Sequence, residues 1–255
     1  MTTSRIFFAD LPIDRVFIKE IVPKLIQLAK NPKDQPYFVT YLNAYGANLA
    51  LKDKKYRQIL KRADLVYADG FGVVLAARFF GYRLLGRLTA KDFFDEFCKR
   101  AKREENTIYF LGGKEGVAKK AARVLKKQYP ALRILGSHYG YFKESEEKEI
   151  VGKINILKPD FLLLGMGAPK QEQWLKKNLV HLKVKVGWCV GGLFDFISGE
   201  KPRCPKWLGD LGFEWLFRLL TEPKRLWKRY LIALPSFWAN VLRMKLEKSF
   251  YSRRS

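Results

Sequence analysis

Short apolar runs alternate along this chain with longer stretches in which apolar side chains recur every three or four residues. The runs that we predict to be strands are Tyr37–Leu42, Leu65–Ala68, Thr107–Leu111, Leu132–Gly136, Phe161–Leu164 and Val184–Val190. The amphipathic stretches that we predict to be helices include Lys91–Lys102, Val117–Tyr129 and Glu144–Leu157. Strands separated by helices are typical of βαβ units on a parallel sheet. The pattern therefore predicts an α/β fold whose ligand lies beyond the carboxyl ends of the strands.

The pattern changes near Lys201, where the sheet-and-helix alternation ends and a helical, aromatic and basic stretch begins. From Lys224 to Ser255 there are nine Lys or Arg residues and one acidic residue, Glu247. We therefore predict two parts, a core over residues 1–200 and an appendage over residues 201–255.

Composition narrows the function classes. The 255 residues are 48% hydrophobic, which permits a sizeable core, and 49 Lys and Arg against 25 Asp and Glu give a formal charge of +24. Such a charge favours nucleic acid, anionic lipid or phosphorylated substrates as partners.

The three cysteines are widely spaced and predict reduced thiols. No secretory signal and no uncharged apolar run long enough to span a bilayer is evident, so any membrane contact is expected from the side.

A carboxylate follows the second predicted strand, in the sequence Asp69-Gly70-Phe71-Gly72. At a strand end, Asp69 can act as a general base if a hydroxyl comes within hydrogen-bond reach. It can equally cap the helix that begins near Phe71. The residues alone leave both interpretations open.

Two glycine turns follow later strands. Gly112 and Gly113 precede a predicted helix, where backbone N–H groups can bind a phosphate, although an ordinary strand–helix turn explains them equally well. The run from Gly165 to Trp174 is Gly-Met-Gly-Ala-Pro-Lys-Gln-Glu-Gln-Trp, a glycine turn with proline where a helix would begin.

The second turn departs from the dinucleotide fingerprint. Lys170 stands at the third glycine position and Pro169 precedes it, which argues against NAD binding. Gln171 and Glu172 would lie in the first helical turn near a bound ligand. The alternative is that they serve only in capping and surface polarity.

Three arginines, Arg218, Arg225 and Arg229, are spaced by seven and four residues. In one continuous helix they would share a face, but Pro223 predicts a break. Arginine side chains bind diphosphate oxygens well, although a solvated basic face is the alternative. No Asp-x-Asp pair occurs and the two histidines, His138 and His181, are far apart, so we predict no metal site.

Taken together, the motifs resemble the WecG/TagA/CpsF family of bacterial glycosyltransferases (glycosyltransferase family 26). The matching elements, in order, are Asn43, Ala63-Asp64, Asp69-Gly70-x-Gly72, Arg87 with Asp92, the run from Gly165 to Trp174, Gly191, Phe194-Asp195, Gly199, Arg203-x-Pro205, and Glu214-Trp-Leu-x-Arg218 through Glu222-Pro-x-Arg225 to Arg229-Tyr230. They cover most of the chain, from about Tyr37 to Tyr230.

The resemblance implies a Rossmann-like parallel sheet flanked by helices, with a basic helical appendage that helps to close the site at the membrane. It also implies an inverting enzyme that needs neither metal nor cofactor. The expected partners are a nucleotide-sugar donor, a polyprenyl-diphosphate-linked acceptor saccharide and an anionic membrane surface, with no nucleic acid. The expected location is cytoplasmic, on the inner face of the cell membrane.

The resemblance also assigns residues. Asp69 would be the general base, Gln171 would position substrate, and Arg218, Arg225 and Arg229 would neutralise the leaving nucleoside diphosphate. The residues expected to bind substrate are Tyr41, Asn43, Gly70, Arg87, Asp92, Gly112, Gly113, Gly165, Gly167, Pro169, Lys170, Glu172 and Asp195.

Two positions depart from the family pattern. Tyr41 stands where the family usually has the threonine of Thr-x-Asn, with Thr40 one place earlier. Ala90 stands where a glycine is usual, three residues after Arg87. Both lie near the expected sugar pocket, so the donor sugar does not follow from the resemblance. The segment Tyr37-Phe-Val-Thr-Tyr-Leu-Asn43, together with Gly86-Arg-Leu-Thr89, is more similar to exopolysaccharide members than to teichoic acid members. A nucleic-acid-binding module is the alternative that charge and aromatic content permit, whereas a nicotinamide oxidoreductase lacks its fingerprint.

Overall fold

The computed structural model describes residues 4–252, apart from the side chains of residues 206, 210 and 248–252. Its strands are β1 (Arg5–Phe8), β2 (Leu11–Asp14), β3 (Tyr37–Leu42), β4 (Leu65–Ala68), β5 (Thr107–Gly112), β6 (Arg133–His138), β7 (Phe161–Gly165) and β8 (Val186–Cys189). Its helices before the appendage are α1 (Ile18–Lys30), α2 (Ala44–Lys52), α3 (Lys54–Lys61), α4 (Phe71–Phe79), α5 (Ala90–Arg103), α6 (Val117–Gln128), α7 (Glu147–Leu157), α8 (Lys170–Asn178) and α9 (Leu193–Ile197).

Six strands form one parallel sheet in the order β4-β3-β8-β7-β5-β6, while β1 and β2 pair as a separate antiparallel hairpin. All six predicted strands are present in this sheet, and helices flank it as predicted. Because every strand of the sheet is parallel, the carboxyl ends meet at one edge, where ligands of open α/β sheets bind.

The core lies on both faces of the sheet. Along β7, Leu162 and Leu164 pack with α2, α3, α7 and α8, whereas Phe161 and Leu163 pack with α1, α5, α6 and α9. This alternation follows from the two-residue period of a strand. Strands covered on both faces are uniformly apolar, which explains why these runs could be recognised.

The ends of β5 and β7 approach each other unusually closely. A Cβ atom placed on Gly112 would lie 2.5 Å from the backbone carbonyl of Gly165. One placed on Gly165 would lie 2.6 Å from the ring of Phe194. Both positions therefore require glycine, and the two loops that follow these strands are held side by side.

The appendage comprises α10 (Lys206–Asp210), α11 (Glu214–Thr221), α12 (Pro223–Trp227), a π-helical segment (Lys228–Ala233) and α13 (Leu234–Ser252). The predicted break at Pro223 is confirmed, since α12 begins there. Phe237 and Val241 of α13 are fully buried in the same core as α2. The predicted appendage runs to residue 255, and its residues 253–255 lie outside the described residues.

A side-chain pair also holds α13 to the core: Asn240 Nδ2 donates to Asn48 Oδ1 at 3.1 Å. The division into core and appendage stays a prediction. Within residues 4–252, no helix has the length and apolar character needed to cross a bilayer.

Candidate active site

A cavity of about 720 Å³ opens at the carboxyl edge of the sheet, between the strand-end loops and helices α11 and α12. The sequence-predicted residues that line it are Tyr41, Asn43, Asp69, Gly113, Gly165, Gly167, Asp195, Arg218, Arg225 and Arg229. Those that lie outside its wall are Gly70, Arg87, Asp92, Gly112, Pro169, Lys170, Gln171 and Glu172. Residues far apart in sequence thus converge on one concave site, as expected for a ligand pocket.

Asp69 lies at the end of β4, and its carboxylate lines the cavity. The N-cap of α4 is Gly70, with φ of +87°, and no side chain caps this helix. Thr89 Oγ1 donates to Asp69 Oδ1 at 2.9 Å. The structure therefore does not show the capping alternative, and the carboxylate is held in place by a hydroxyl.

The groups around Asp69 shift its pKa in opposite directions. Burial is the largest effect and raises its pKa, and the carboxylate of Glu214 raises it further. The hydrogen bond from Thr89 and the charges of Arg218 and Arg229 lower it, but the net pKa is above the ordinary value. A carboxylate with a raised pKa is a stronger proton acceptor once ionised, which suits a general base.

The three arginines reach the cavity from the appendage. The Arg218 guanidinium lies 5.6 Å from the centroid of the Phe196 ring, and that of Arg229 lies 4.7 Å from the centroid of the Tyr45 ring. Arg225 pairs with Glu222 at 2.9 Å. Three cations on one wall, two of them held against aromatic faces, make this wall suited to a diphosphate.

Acidic residues of α11 and its C-cap link the appendage to the core. Glu214 pairs with Arg87 at 3.3 Å and with Lys91 at 2.5 Å. Lys201 pairs with Glu222 at 3.2 Å and with Asp195 at 2.5 Å. Arg87 and Asp195, predicted to bind substrate, therefore also hold the cavity wall together. Asp92 lies behind this wall, within 3.7 Å of Arg87 and 3.5 Å of Arg203.

Gln171 and Glu172 lie one layer beneath the cavity and are fully buried. Gln171 Oε1 accepts hydrogen bonds from the backbone N–H groups of Gly167 and Gly191, each at 3.1 Å. Its Nε2 donates to Glu172 Oε1 at 2.7 Å, and Thr40 Oγ1 donates to the same oxygen at 3.0 Å. Gln171 thus fixes two loops of the cavity wall from behind, instead of facing the cavity as the sequence suggested.

The physical reason is the orientation of α8, whose first turn directs Gln171 and Glu172 inward, where Glu172 meets Thr40 of β3. Burial raises the pKa of Glu172, with the hydrogen bonds from Gln171 and Thr40 acting in the opposite direction. The alternative of surface polarity is therefore wrong for both residues, because neither is exposed.

We expect Gln171→Ala to lower the free energy of unfolding by about 1–3 kcal/mol, because the buried N–H of Gly191 loses its acceptor. The affinity for donor nucleotide should fall as well, since both loops line the cavity. Urea unfolding and nucleotide titration measure the two effects. Gln173→Ala, an exposed glutamine on the same helix, is the matched control. Unchanged unfolding of Gln171→Ala would contradict this role.

The Gly112–Gly113 turn is used partly within the protein. The N–H of Gly113 donates to the carbonyl of Gly165 at 3.0 Å, so this N–H group holds the neighbouring loop and is not free for a ligand.

The two predicted residues at the start of α8 also have roles within the protein. Lys170 Nζ donates to the carbonyl of Gly140 at 2.8 Å and lies over the ring of Tyr141. Pro169, the N-cap of α8, follows a cis peptide bond.

Several cavity residues escaped sequence reasoning. They include Tyr45, Thr89, Lys91, Phe196 and Lys201. Thr89 and Lys91 follow the matched Arg87 closely, and a search for hydroxyl partners of Asp69 could have suggested Thr89. The part of the chain that the structure describes contains no group of three His, Cys, Asp or Glu side chains arranged to hold a metal ion.

Comparison with known proteins decides the family. A model described as "Glycosyl transferase WecG/TagA/CpsF family" matches residues 6–250. The chain belongs to this family. It is therefore a glycosyltransferase, and the enzyme predicted from the sequence is confirmed.

Two relatives extend this comparison. A protein of Staphylococcus aureus (strain MRSA252) is 28% identical over 243 residues, which are 95% of this chain and 94% of the relative. A protein of Bacillus subtilis (strain 168) is 32% identical over 219 residues, 84% of this chain and 83% of the relative. Both are named N-acetylglucosaminyldiphosphoundecaprenol N-acetyl-beta-D-mannosaminyltransferase.

Proposed function

We propose that this glycosyltransferase moves a sugar from a UDP-sugar to a polyprenyl-diphosphate-linked saccharide, with inversion at the anomeric carbon and without a metal ion. The observation that carries the proposal is that one cavity is lined both by Asp69 and by three arginines, Arg218, Arg225 and Arg229. The cavity thus offers both a proton acceptor and positive charge for a departing diphosphate.

In the proposed reaction, the acceptor hydroxyl attacks the anomeric carbon of the donor sugar as the bond to the nucleoside diphosphate breaks. Asp69 takes the hydroxyl proton, so that no alkoxide has to form in advance. The arginines stabilise the negative charge that develops on the leaving diphosphate, which is the task a metal ion performs in many other transferases.

The names of the relatives suggest which substrates to test first. They support an N-acetylhexosamine as the transferred sugar and an N-acetylglucosaminyl diphosphate lipid as the acceptor. Tyr41, which stands where the family usually has threonine, lines the same cavity, and its hydroxyl lies against Gly191. We propose that this larger side chain reshapes the sugar pocket, so that donor choice can differ from that of the relatives.

A transfer assay with EDTA present tests the proposal. The donors are UDP-linked and GDP-linked sugars, including N-acetylmannosamine and N-acetylglucosamine, and the acceptor is a short-chain polyprenyl diphosphate carrying N-acetylglucosamine. Mass spectrometry detects the product, and the anomeric coupling constant in its NMR spectrum reports the stereochemistry. A product with retained configuration would overturn the inverting mechanism.

Thermal shifts with UDP, GDP, NAD and a DNA oligonucleotide provide the companion measurement, because ligands that bind the native state raise its melting temperature. A shift with UDP supports the proposed donor class. A shift with DNA alone would favour the nucleic-acid alternative for the basic surface.

We also propose that the protein acts as a peripheral protein on the cytoplasmic face of the membrane. The lipid-linked acceptor requires it to reach a bilayer, and the basic appendage from residue 201 provides charge for anionic headgroups. Deleting residues 224–255 is a poor test, since it would remove Phe237 and Val241 from the core together with two cavity arginines. Surface substitutions test membrane contact better.

A further inference from the structure

Helix α4 of the core carries an apolar outer face. Phe71, Leu75 and Phe79 recur every four residues, so they share one side of the helix, and their side chains are 37%, 47% and 45% exposed. The opposite side is already buried, through Val73, Val74, Ala76 and Ala77. A surface helix normally presents polar side chains outward. Helix α4 is instead apolar on both sides, which indicates that its outer face meets another apolar surface.

The appendage flanks this face at both ends. A Cβ atom on Gly212, between α10 and α11, would lie 3.7 Å from the Phe71 ring. At the other end, Lys245 Nζ of α13 donates to the Phe79 carbonyl at 3.0 Å and lies 5.3 Å from the centroid of the Phe79 ring. The outer face of α4 is therefore continuous with the appendage surface.

The appendage presents exposed apolar side chains in the same way, in pairs four residues apart. These pairs are Trp207 and Leu211, Leu216 and Leu220, Trp227 and Leu231, and Leu242 and Leu246. Isolated exposed apolar residues are common on protein surfaces, but a repeated pattern of this size marks an interaction surface.

Charge indicates what covers the α4 face. No acidic residue lies between Asp69 and Asp92, whereas four basic residues do, of which Arg78 and Arg83 are exposed. A second copy of this chain would bring the same positive charge to the contact, which like-charge repulsion disfavours. An anionic bilayer offers both negative headgroups and an apolar interior, and aromatic and basic side chains are enriched at such interfaces.

We propose that the outer face of α4, formed by Phe71, Leu75 and Phe79, is a membrane-docking surface of the core that inserts into an anionic bilayer beside the appendage. This inference rests on the proposed lipid-linked acceptor. Asp69 lies two residues before Phe71, the first residue of α4. Docking of α4 would therefore fix the height of the proposed base above the headgroups, where an acceptor diphosphate lies.

The test uses the full chain and sedimentation with vesicles of phosphatidylcholine, either alone or mixed with phosphatidylglycerol. Leu75→Glu should weaken partitioning onto the mixed vesicles by about tenfold or more, because an apolar contact is replaced by a charge that the anionic surface repels. Ile156→Glu is the matched control: Ile156 is 80% exposed on α7, away from this face, and its substitution should change nothing. Wild-type partitioning by Leu75→Glu would overturn the proposal.

Two further readouts separate the alternatives. If light scattering without vesicles shows that Leu75→Glu converts a dimer into a monomer, a second copy covers α4 and the proposal is wrong. Transfer to a water-soluble acceptor should proceed at the wild-type rate in Leu75→Glu and Ile156→Glu, with unchanged melting temperatures. If the wild type also fails to transfer sugar to the water-soluble acceptor, this result counts against the proposed function. The vesicle experiment then decides the role of α4 by itself.

Discussion

Replacing Asp69 by asparagine is expected to lower kcat by about 10²–10⁴-fold, the usual contribution of a general base, while donor affinity stays nearly unchanged. Asparagine retains an oxygen that can accept the hydrogen bond from Thr89, so the local structure should persist. Steady-state kinetics and a separate titration with nucleoside diphosphate measure the two quantities. Asp34→Asn, the same change at an exposed site, is the control. Turnover at the wild-type rate in Asp69→Asn would remove Asp69 from the mechanism.

The pH dependence of kcat/KM gives an independent signature of the same residue. Asp69 must be ionised to accept a proton, so activity falls as the pH drops through its pKa. Because burial and Glu214 raise that pKa, the acid limb should lie above the ordinary range of aspartate. Glu214→Gln removes one of the causes, and we expect the limb to move to lower pH in this variant.

Much of the fold could be predicted because a doubly covered parallel sheet leaves a strong apolar signal. The bounds of β3 and β4 match the predicted runs, whereas the run Val184–Val190 extends beyond β8. Val184 and Val190 are buried yet lie outside the strand. An apolar run in the sequence therefore marks the residues that are buried, and the paired strand can be shorter than that run.

The prediction lacks the β1–β2 hairpin and α1. Each hairpin strand has only four residues, which is too short for a clear alternation. Helix α1 has a helical period, since Ile21, Leu25 and Ala29 are buried, but Pro23 lies inside it, and an internal proline counts against a helix. The hairpin is fixed instead by a side-chain pair between its own strands and by a contact with β4. Arg5 pairs with Asp14 at 2.8 Å, and Asp14 Oδ2 accepts a hydrogen bond from the backbone of Val66 at 2.7 Å.

The convergence of the site residues could be predicted because parallel strand ends share one edge. The direction in which each side chain points could not. Gln171 is one residue after Lys170, yet Gln171 is buried beneath the loops and Lys170 lies on the outer surface. Only the rotation of α8 against the sheet decides between these roles, and a nine-residue polar helix gives little indication of that rotation.

Among the three arginines, Arg218 is expected to matter most. Arg225 is half-exposed and Glu222 already engages it. Burial lowers the pKa of Arg218, but Tyr230, Glu214, Asp69 and Glu222 more than offset this and keep its charge secure. A partly buried, fixed charge acts more strongly on a developing anion than an exposed one, because water screens it less.

We therefore expect Arg218→Gln to lower kcat by about 10²–10³-fold, the usual effect of removing one preorganised donor, and Arg225→Ala to lower it less. Arg218 also lowers the pKa of Asp69. Its removal should consequently move the acid limb of kcat/KM to higher pH, opposite to the shift expected for Glu214→Gln. A drop in kcat caused only by misfolding would leave the pKa of the remaining active fraction unchanged, so the two opposite shifts separate loss of charge from loss of structure. An unchanged kcat in Arg218→Gln would show that the leaving diphosphate is stabilised elsewhere in the cavity.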